Sequence, residues 1–396
     1  MDNQAETLLS PTHLLPLAQP NPRARPPNPR VRQYIDQTLA ALLDQILSEG
    51  KPAITIKRKA GGTAYLINSS NGALESHSAT TDVTYSWEGK DGYEAWRFNV
   101  ALAILSEIDK AVRAGLVISK RDIYYSDPVL FGSQSIVDTF VDDFARTIGV
   151  DRSDLCVEAA AKGLVAGFYQ LTTTADVTID TRSSIEECLI PRVEDISNLE
   201  LSDVDWVLIL EKEAVFSRLA RSFFHTRAAA GKGILITGKG YPDLRTRAFV
   251  RKILDSIPVI PTQIERPRFY ALVDGDPDGI SIMSTYKYGS RAHVWENRKL
   301  NIPCLRWLGL RISDVVEGSQ LGRDEALITL SRRDRRKIVS MLSKSPVWAV
   351  DGPEPEWRTE LQRMLILNVK AEIEIEYDRD GGLEGWIDRE MRRQEE

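Results

Sequence analysis

The chain has 396 residues, 42% of them hydrophobic, enough for a full core and, at about 100 to 200 residues per domain, for two domains. Its formal net charge of −6 excludes indiscriminate electrostatic attraction to nucleic acid, while leaving local basic patches open. No apolar run approaches the roughly 18 residues of a membrane span, and the start Met1-Asp2 lacks a basic signal region, so an intracellular protein with no membrane partner is expected.

Residues 1–30 hold seven of the 19 prolines and no sustained apolar period, which predicts a disordered Pro-rich tail. From Val31 to Leu47, the residues Ile35, Leu39, Leu42, Leu43, Ile46 and Leu47 recur at helical spacing, giving a first packed helix that is also a candidate partner-binding one. Ala53 to Lys57 and Ala64 to Ile67 read as short strands, followed by a Ser/Thr/Gly-rich loop through Thr81 whose length indicates an insertion. Ala95 to Ala114 is helical by period and stops at Gly115.

The stretch Ser119-Lys-Arg-Asp-Ile-Tyr-Tyr-Ser-Asp127 follows, with Tyr124 and Tyr125 three and four residues after Arg121. If the Ile-Tyr-Tyr segment is extended, alternation points the two rings to opposite sides and only one can reach a phosphate. These residues alone do not choose between them, and a Tyr-Tyr pair is commonly just packed aromatic surface. Gln134 to Ile148 is a second amphipathic helix closed by Gly149, and Ser153 is a candidate N-cap for a third helix to about Lys162. Helix, short turn and helix, with Leu164 to Leu171 and Val177 to Asp180 as a two-stranded wing, predict a winged-helix DNA-binding domain over 31–180.

Beyond residue 184 strands alternate with helices. Val204–Leu210, Gly233–Thr237 and Phe269–Val273 are apolar runs, each followed by a helical pattern at about 214–230, 243–254 and 280–288. This predicts a parallel α/β domain over 185–396 with a C-terminal helical extension. Ligands of such sheets gather beyond the carboxyl ends of the strands, which here carry Glu211, Gly238-Lys-Gly-Tyr-Pro-Asp243 and Asp274-Gly-Asp276-Pro-Asp278. Side-by-side carboxylates repel unless a cation sits among them, and hard oxygen ligands suit Mg²⁺ or Mn²⁺. The plainer reading is that Asp276 caps the next helix with Pro277 at its first position.

Gly233-Ile-Leu-Ile-Thr-Gly238-Lys239-Gly240 imitates a P-loop but ends in glycine where Ser/Thr would ligate Mg²⁺, so no nucleotide-hydrolysis motif is present. The basic clusters Lys57-Arg58-Lys59 and Arg332 to Lys337, interrupted by Asp334, are solvated faces unless other features bring DNA near. Cys156, Cys188 and Cys304 lie far apart without C-x-x-C spacing, which predicts buried free thiols.

Taken together, Lys120-Arg-Asp-Ile-Tyr-Tyr125, Leu130-Phe-x-x-Gln134, Glu211-Lys-Glu-Ala-Val-Phe216, Gly238-Lys-Gly-Tyr-Pro-Asp243, the D-x-D-P motif and Thr285-Tyr-Lys-Tyr-Gly-Ser290 resemble the A subunit of the type IIB topoisomerases (topoisomerase VI) and its eukaryotic meiotic relatives. The resemblance covers about residues 95 to 350. It implies a winged-helix domain followed by a Toprim-like metal-binding domain, with Tyr125 as nucleophile, Arg121 as transition-state arginine and Glu211, Asp274 and Asp276 as ligands of Mg²⁺ or Mn²⁺. It further implies DNA contacts by Lys120, Lys239, Gly240 and Lys287, a homodimer on double-stranded DNA, a B-type ATPase-like partner chain, accessory meiotic proteins and a nuclear, chromosome-associated setting.

Asp278 departs from the pattern, which usually has His, Phe or Tyr there; an outer carboxylate around the metal or a helix cap is the favoured role. The Pro-rich tail and the insertion near residues 68 to 92 favour the meiotic branch over the archaeal topoisomerase. The chemistry suits these residues. A free tyrosine of pKa about 10 is only about 0.1% phenolate at pH 7, and an arginine can neutralise phosphate oxygens without serving as a base. A metal nuclease using the acids alone and a non-catalytic DNA-binding scaffold are the alternatives.

Overall fold

The computed structural model describes residues 28–60, 64–76, 80–158, 161–182, 187–257, 267–317 and 327–395. The expected tail lies outside the described residues up to residue 27; Pro29 and Arg30 already belong to the first helix. Two compact units form, the first from Met1–Arg58 with Thr80–Glu158 and the second from Lys59–Ala79 with Ala159–Glu396. The division therefore falls after Glu158, not between residues 180 and 185 as the sequence suggested.

Helix α1 (Pro29–Leu47) starts with the Asn28 side chain accepting from Arg30 N at 3.0 Å and Pro29 in its first turn. It buries Val31, Ile35 and Leu42 but leaves Leu39, Leu43, Ile46 and Leu47 exposed, so only part of the predicted apolar face is packed. Strand β1 (Ala53–Lys59) follows. The strand expected at 64–67 forms as β2 (Tyr65–Ile67), and the expected loop through Thr81 instead contains β3 (Leu74–Ser76), which makes a hairpin with β2 in the second unit, and the start of β4 (Thr80–Ser86), which returns to pair with β1.

Helix α2 (Gly92–Ala114) is capped by Asp91 and ends at Gly115, at φ 63°. Then come β5 (Ile118–Ser119), α3 (Lys120–Ser126), α4 (Pro128–Phe131) and α5 (Gln134–Ile148). Phe98, Ile104 and Ile108 of α2 and Val137, Phe140 and Phe144 of α5 make the core of this unit. The predicted third helix does not form. A capping box between Asp151 and Asp154 closes one 3₁₀ turn at Arg152–Leu155, Cys156 turns left-handed at φ 56°, and β6 (Val157–Glu158) pairs in parallel with β5. A left-handed residue ends helical propagation, and the β-branched Val157 is buried in the strand pair instead.

The predicted wing is also reassigned. β7 (Leu164–Gly167) runs antiparallel beside a strand of the main sheet, and β8 (Gln170–Thr173) pairs with β9 (Thr178–Asp180) and later with β11 (Ile196–Glu200); all lie in the second unit. β10 (Cys188–Leu189) covers the outer edge of β7. The main sheet adds β12 (Trp206–Leu210), β13 (Gly233–Thr237), β14 (Arg268–Leu272) and β15 (Arg306–Gly309), in the order β10-β7-β13-β12-β14-β15, the last four parallel. Leu210 pairs with both Thr237 and Leu272, so the carboxyl ends of the three central strands are level.

The expected helix 214–230 is split into α6 (Glu213–Arg221) and α7 (Phe224–Arg227) by Phe223 at φ 56°. α8 (Leu244–Asp255) is capped by Asp243 and α9 (Pro277–Lys287) by Asp276. The remainder comprises α10 (Val294–Leu300), α11 (Ile312–Glu317), the antiparallel pair β16 (Leu327–Thr329) and β17 (Val369–Ala371), α12 (Arg332–Lys344), α13 (Pro355–Leu367) and α14 (Gly382–Arg393). Ser331 and Asp334 form the capping box of α12, so the acid interrupting the basic cluster is a helix-start residue. The three cysteines are free thiols, but only Cys156 is buried as expected; Cys188 and Cys304 are partly exposed.

Candidate active site

Helix α3 carries the tyrosine pair. Ser119 Oγ accepts from Asp122 N at 3.0 Å and Asp122 returns the bond to Ser119 N at 2.8 Å, fixing the helix start. Ile123, 1% exposed, anchors the helix in the core. The segment is thus helical, not extended, and adjacent side chains diverge by about 100° rather than by half a turn. Tyr124 packs against the core of this unit while Tyr125 is 65% exposed, the two rings standing 5.3 Å apart. Arg121 is exposed and lies four residues before Tyr125, on the same face of the helix.

Lys120 does not join them. Its Nζ lies 3.0 Å from Asp142 and 3.6 Å from Asp138 of α5, with the side chain 13% exposed. Lys120, expected at the DNA, here joins α3 to α5.

The acids occupy one edge of the second unit. Glu211 follows β12, Asp274 follows β14, and Glu211 Oε2 accepts from Asp274 N at 2.9 Å. Gly279 sits at this junction because a Cβ there would come within 2.4 Å of Asp274 O and 3.0 Å of Glu211 Oε2. Asp276 caps α9 by accepting from Gly279 N at 2.7 Å, so the helix-cap reading holds for this residue. Burial, then repulsion by Asp274 and Asp276, pushes Glu211 up to about 8. Asp274 is raised to about 6 chiefly by burial, opposed by its bond from Ile373 N and by Lys212. Asp276 is raised by burial and by repulsion from Asp278.

Sequence reading missed the cation beside these acids. Lys212 Nζ lies 3.1 Å from Asp274 Oδ2, 2.5 Å from Glu374 and 3.3 Å from Glu372. The last two belong to the segment after β17, which reaches Gly275 through backbone bonds and donates Ile373 N to Asp274 Oδ1 at 2.9 Å. Glu372 caps and Glu374 lies in a 3₁₀ turn, Ile373–Tyr377, whose place beside Lys212 no local pattern of the sequence signals.

Among the described residues, no three carboxylate, histidine or cysteine groups stand in ion-holding geometry. The donor chemistry nevertheless fits a hard divalent cation: a buried Asp274 with half-buried Glu211 and Asp276, all of raised pKa, gain more from a cation than from any neutral partner. Glu211, Asp274 and Asp276 are the residues that would hold it.

Asp278 points elsewhere. Its carboxylate pairs with Lys337 Nζ of α12 and accepts from Tyr241 OH at 3.2 Å, while Lys337 also donates to Tyr241 OH at 2.7 Å. It ties α9, the Tyr241 turn and α12 together, where sequence reading expected a carboxylate around the metal or a cap. Lys239, at φ 53°, pairs with Glu213 at 2.8 Å, and Gly240 N donates to Glu211 O at 2.9 Å, fastening this turn to the end of β12. Lys287, also expected at the DNA, is 2.5 Å from Glu354 and lies over the Trp357 ring.

Two family models match: residues 206–379 fit the Toprim domain of the topoisomerase 6 A-subunit/Spo11 family, and residues 96–157 fit "Type IIB DNA topoisomerase". The human meiotic recombination protein SPO11 is 33% identical over 344 residues, 86% of this chain and 81% of that one. Meiotic recombination protein rec12 of Schizosaccharomyces pombe is 34% identical over 87% of this chain and 90% of its own length. The A subunit of DNA topoisomerase 6 from Arabidopsis thaliana is 31% identical over 69% of this chain and 60% of its own. With both units matched and such relatives along most of its length, the chain belongs to the topoisomerase 6 A-subunit/Spo11 family of type IIB topoisomerase-like, DNA-cleaving enzymes.

Proposed function

We propose that this enzyme makes the DNA double-strand breaks that start meiotic recombination, and that Tyr125 is its nucleophile. The observation that carries the reading is a solvent-exposed Tyr125 sharing a helix face with Arg121, in a chain whose relatives are named meiotic recombination proteins. Tyr125 Oη attacks a backbone phosphorus, the P–O3′ bond breaks, and a 5′-phosphotyrosyl link and a free 3′-hydroxyl result. The phenolic proton leaves to solvent or a base and the 3′-oxygen takes one up. Arg121 neutralises the non-bridging phosphate oxygens, and its guanidinium, always protonated, has no part in moving the proton.

When Mg²⁺ or Mn²⁺ is held by Glu211, Asp274 and Asp276, the chemistry it supplies is stabilisation of charge on the departing 3′-oxygen. The first unit serves as the winged-helix-type DNA-binding half, with α3 braced on α5 through Lys120. The exposed Leu39, Leu43, Ile46 and Leu47 of α1 form an apolar face for a B-type ATPase-like partner chain to cover. Two copies act on double-stranded DNA in the nucleus, each lending its tyrosine to the acids of the other.

The test is to incubate the chain with its partner proteins, Mg²⁺ or Mn²⁺ and supercoiled DNA, and to look for linear product with protein bound to the 5′ ends. Tyr125→Phe is expected to abolish the adduct and keep DNA binding; an adduct that persists would falsify the assignment. Cleavage that leaves free 5′-phosphates and survives Tyr125→Phe would instead mark a metal nuclease.

A further inference from the structure

Lys212 stands where local rules disfavour a lysine. It is the N-cap of α6, between Glu211 at the end of β12 and Glu213 in the first turn of the helix, and its side chain makes no capping bond. An N-cap is best filled by Ser, Thr, Asp or Asn, which accept from the first N–H groups, and a cation there opposes the positive end of the helix. The partners of this lysine are acids instead. Its Nζ meets Glu374 at 2.5 Å, Asp274 Oδ2 at 3.1 Å and Glu372 at 3.3 Å, with the side chain 24% exposed. Burial, which lowers a lysine, is outweighed by the bond from Lys212 to Glu374 and by the charge of Asp274, so the ammonium is held above its ordinary value.

Both oxygens of Asp274 are engaged: Oδ1 accepts from Ile373 N at 2.9 Å, and Oδ2 faces Lys212. A divalent ion held by Glu211, Asp274 and Asp276 therefore meets a cation already placed at one of its carboxylates, and like charges that close repel. Glu372 and Glu374 give the ammonium two further acceptors within reach. A small turn of the flexible lysine stem can take the charge away from Asp274 without leaving it unpartnered. Two neighbouring lysines are held elsewhere, Lys370 at 3.2 Å from Asp334 and Lys239 at 2.8 Å from Glu213.

We propose that Lys212 competes with the divalent ion for Asp274, that Glu372 and Glu374 take up its ammonium when the ion binds, and that this exchange sets the affinity of the site. Lys212 is thus a positioning residue that acts on the metal through Asp274. The inference rests on the reading of Glu211, Asp274 and Asp276 as the metal ligands.

Calorimetric titration of the full chain with Mn²⁺ alone tests this without DNA or cleavage, at about pH 8, where Asp274 with its value of about 6 is ionised. The wild-type chain is expected to bind and Asp274→Asn is not. Lys212→Met, of similar length and without charge, is expected to bind about tenfold more tightly, the factor that about 1.4 kcal/mol of relieved repulsion makes. Lys212→Gln, which can still bond the same carboxylates, carries the same expectation and serves if the methionine variant does not fold. Glu374→Gln is expected to weaken binding, and by more in the Lys212 chain than in the Lys212→Met chain, where no ammonium is left to be taken up. Failure of the wild type to bind, or binding unchanged by Asp274→Asn, would reject the acids as ligands and the proposal with them. Binding that Asp274→Asn abolishes, but that folded Lys212→Met and Lys212→Gln leave equal or weaker, would overturn the role of Lys212 alone. An equal loss from Glu374→Gln in both backgrounds would do the same.

Discussion

Tyr124 and Tyr125 differ by one position and by where the turn of α3 sends them. Tyr124→Phe should leave adduct formation within a few-fold of the wild type, since its ring serves packing, whereas Tyr125→Phe removes the proposed nucleophile. The titrating acids make a second residue-scale prediction. Glu211 and Asp274 have folded pKa values of about 8 and about 6, above the ordinary range near 4 of an unfolded chain. Raised values mean that the fold favours the protonated forms. Their contribution to stability is fully present below about pH 4 and is lost as pH rises through about 6 and then about 8. In chelator-treated protein, thermal unfolding should therefore show falling stability between about pH 4 and 8, and Glu211→Gln should flatten the upper part of that fall. An identical slope in the Gln variant would reject Glu211 as its source. Side-chain identities were legible in the sequence; the ion pairs that occupy Lys120 and Lys287 were not, because their partners Asp142 and Glu354 are fixed only by folding.

At the scale of elements, Asp276 is both the cap of α9 and one of three strand-end acids. Asn caps a helix about as well as Asp, whereas Ala costs about 1 kcal/mol. Asp276→Asn should thus unfold within about 0.5 kcal/mol of the wild type and Asp276→Ala about 1 kcal/mol below it, with DNA cleavage lost in both. Full cleavage by the Asn variant would reduce Asp276 to a cap. The central strands and helices α2, α5, α8 and α9 could be read from local period and punctuation. The third helix and the wing could not. Val157 finds its strand partner in Ile118, and β7 finds β13 some 70 residues further on, choices that no local window contains.

For the whole molecule, the division of labour between the units predicts complementation. If Tyr125 of one copy meets Glu211 of another, mixing Tyr125→Phe with Glu211→Gln chains rebuilds one intact site per mixed dimer. Supercoiled DNA should then be nicked, with adduct only on the Glu211→Gln chain, although neither variant cleaves alone. A mixture that stays inert while forming dimers on DNA would show that each site is built within one chain. The existence of two units was legible from the change of pattern, but their boundary was not, because a unit assembled from two chain segments leaves no compositional mark at the joins.

That discontinuity constrains how the protein can be divided. The polypeptide passes between its units three times, at residues 58–59, 79–80 and 158–159, and the excursion delivers the β2–β3 hairpin, whose Leu74 N donates to Tyr288 O at 2.7 Å and whose Leu74 O receives Asn297. A gene fragment begun at residue 159 would encode the whole six-stranded sheet yet lack this hairpin, leaving Asn297 and Tyr288 without their backbone partners. Expression of the Toprim half on its own therefore calls for residues 59–79 to be supplied as well, by circular permutation or as a separate peptide.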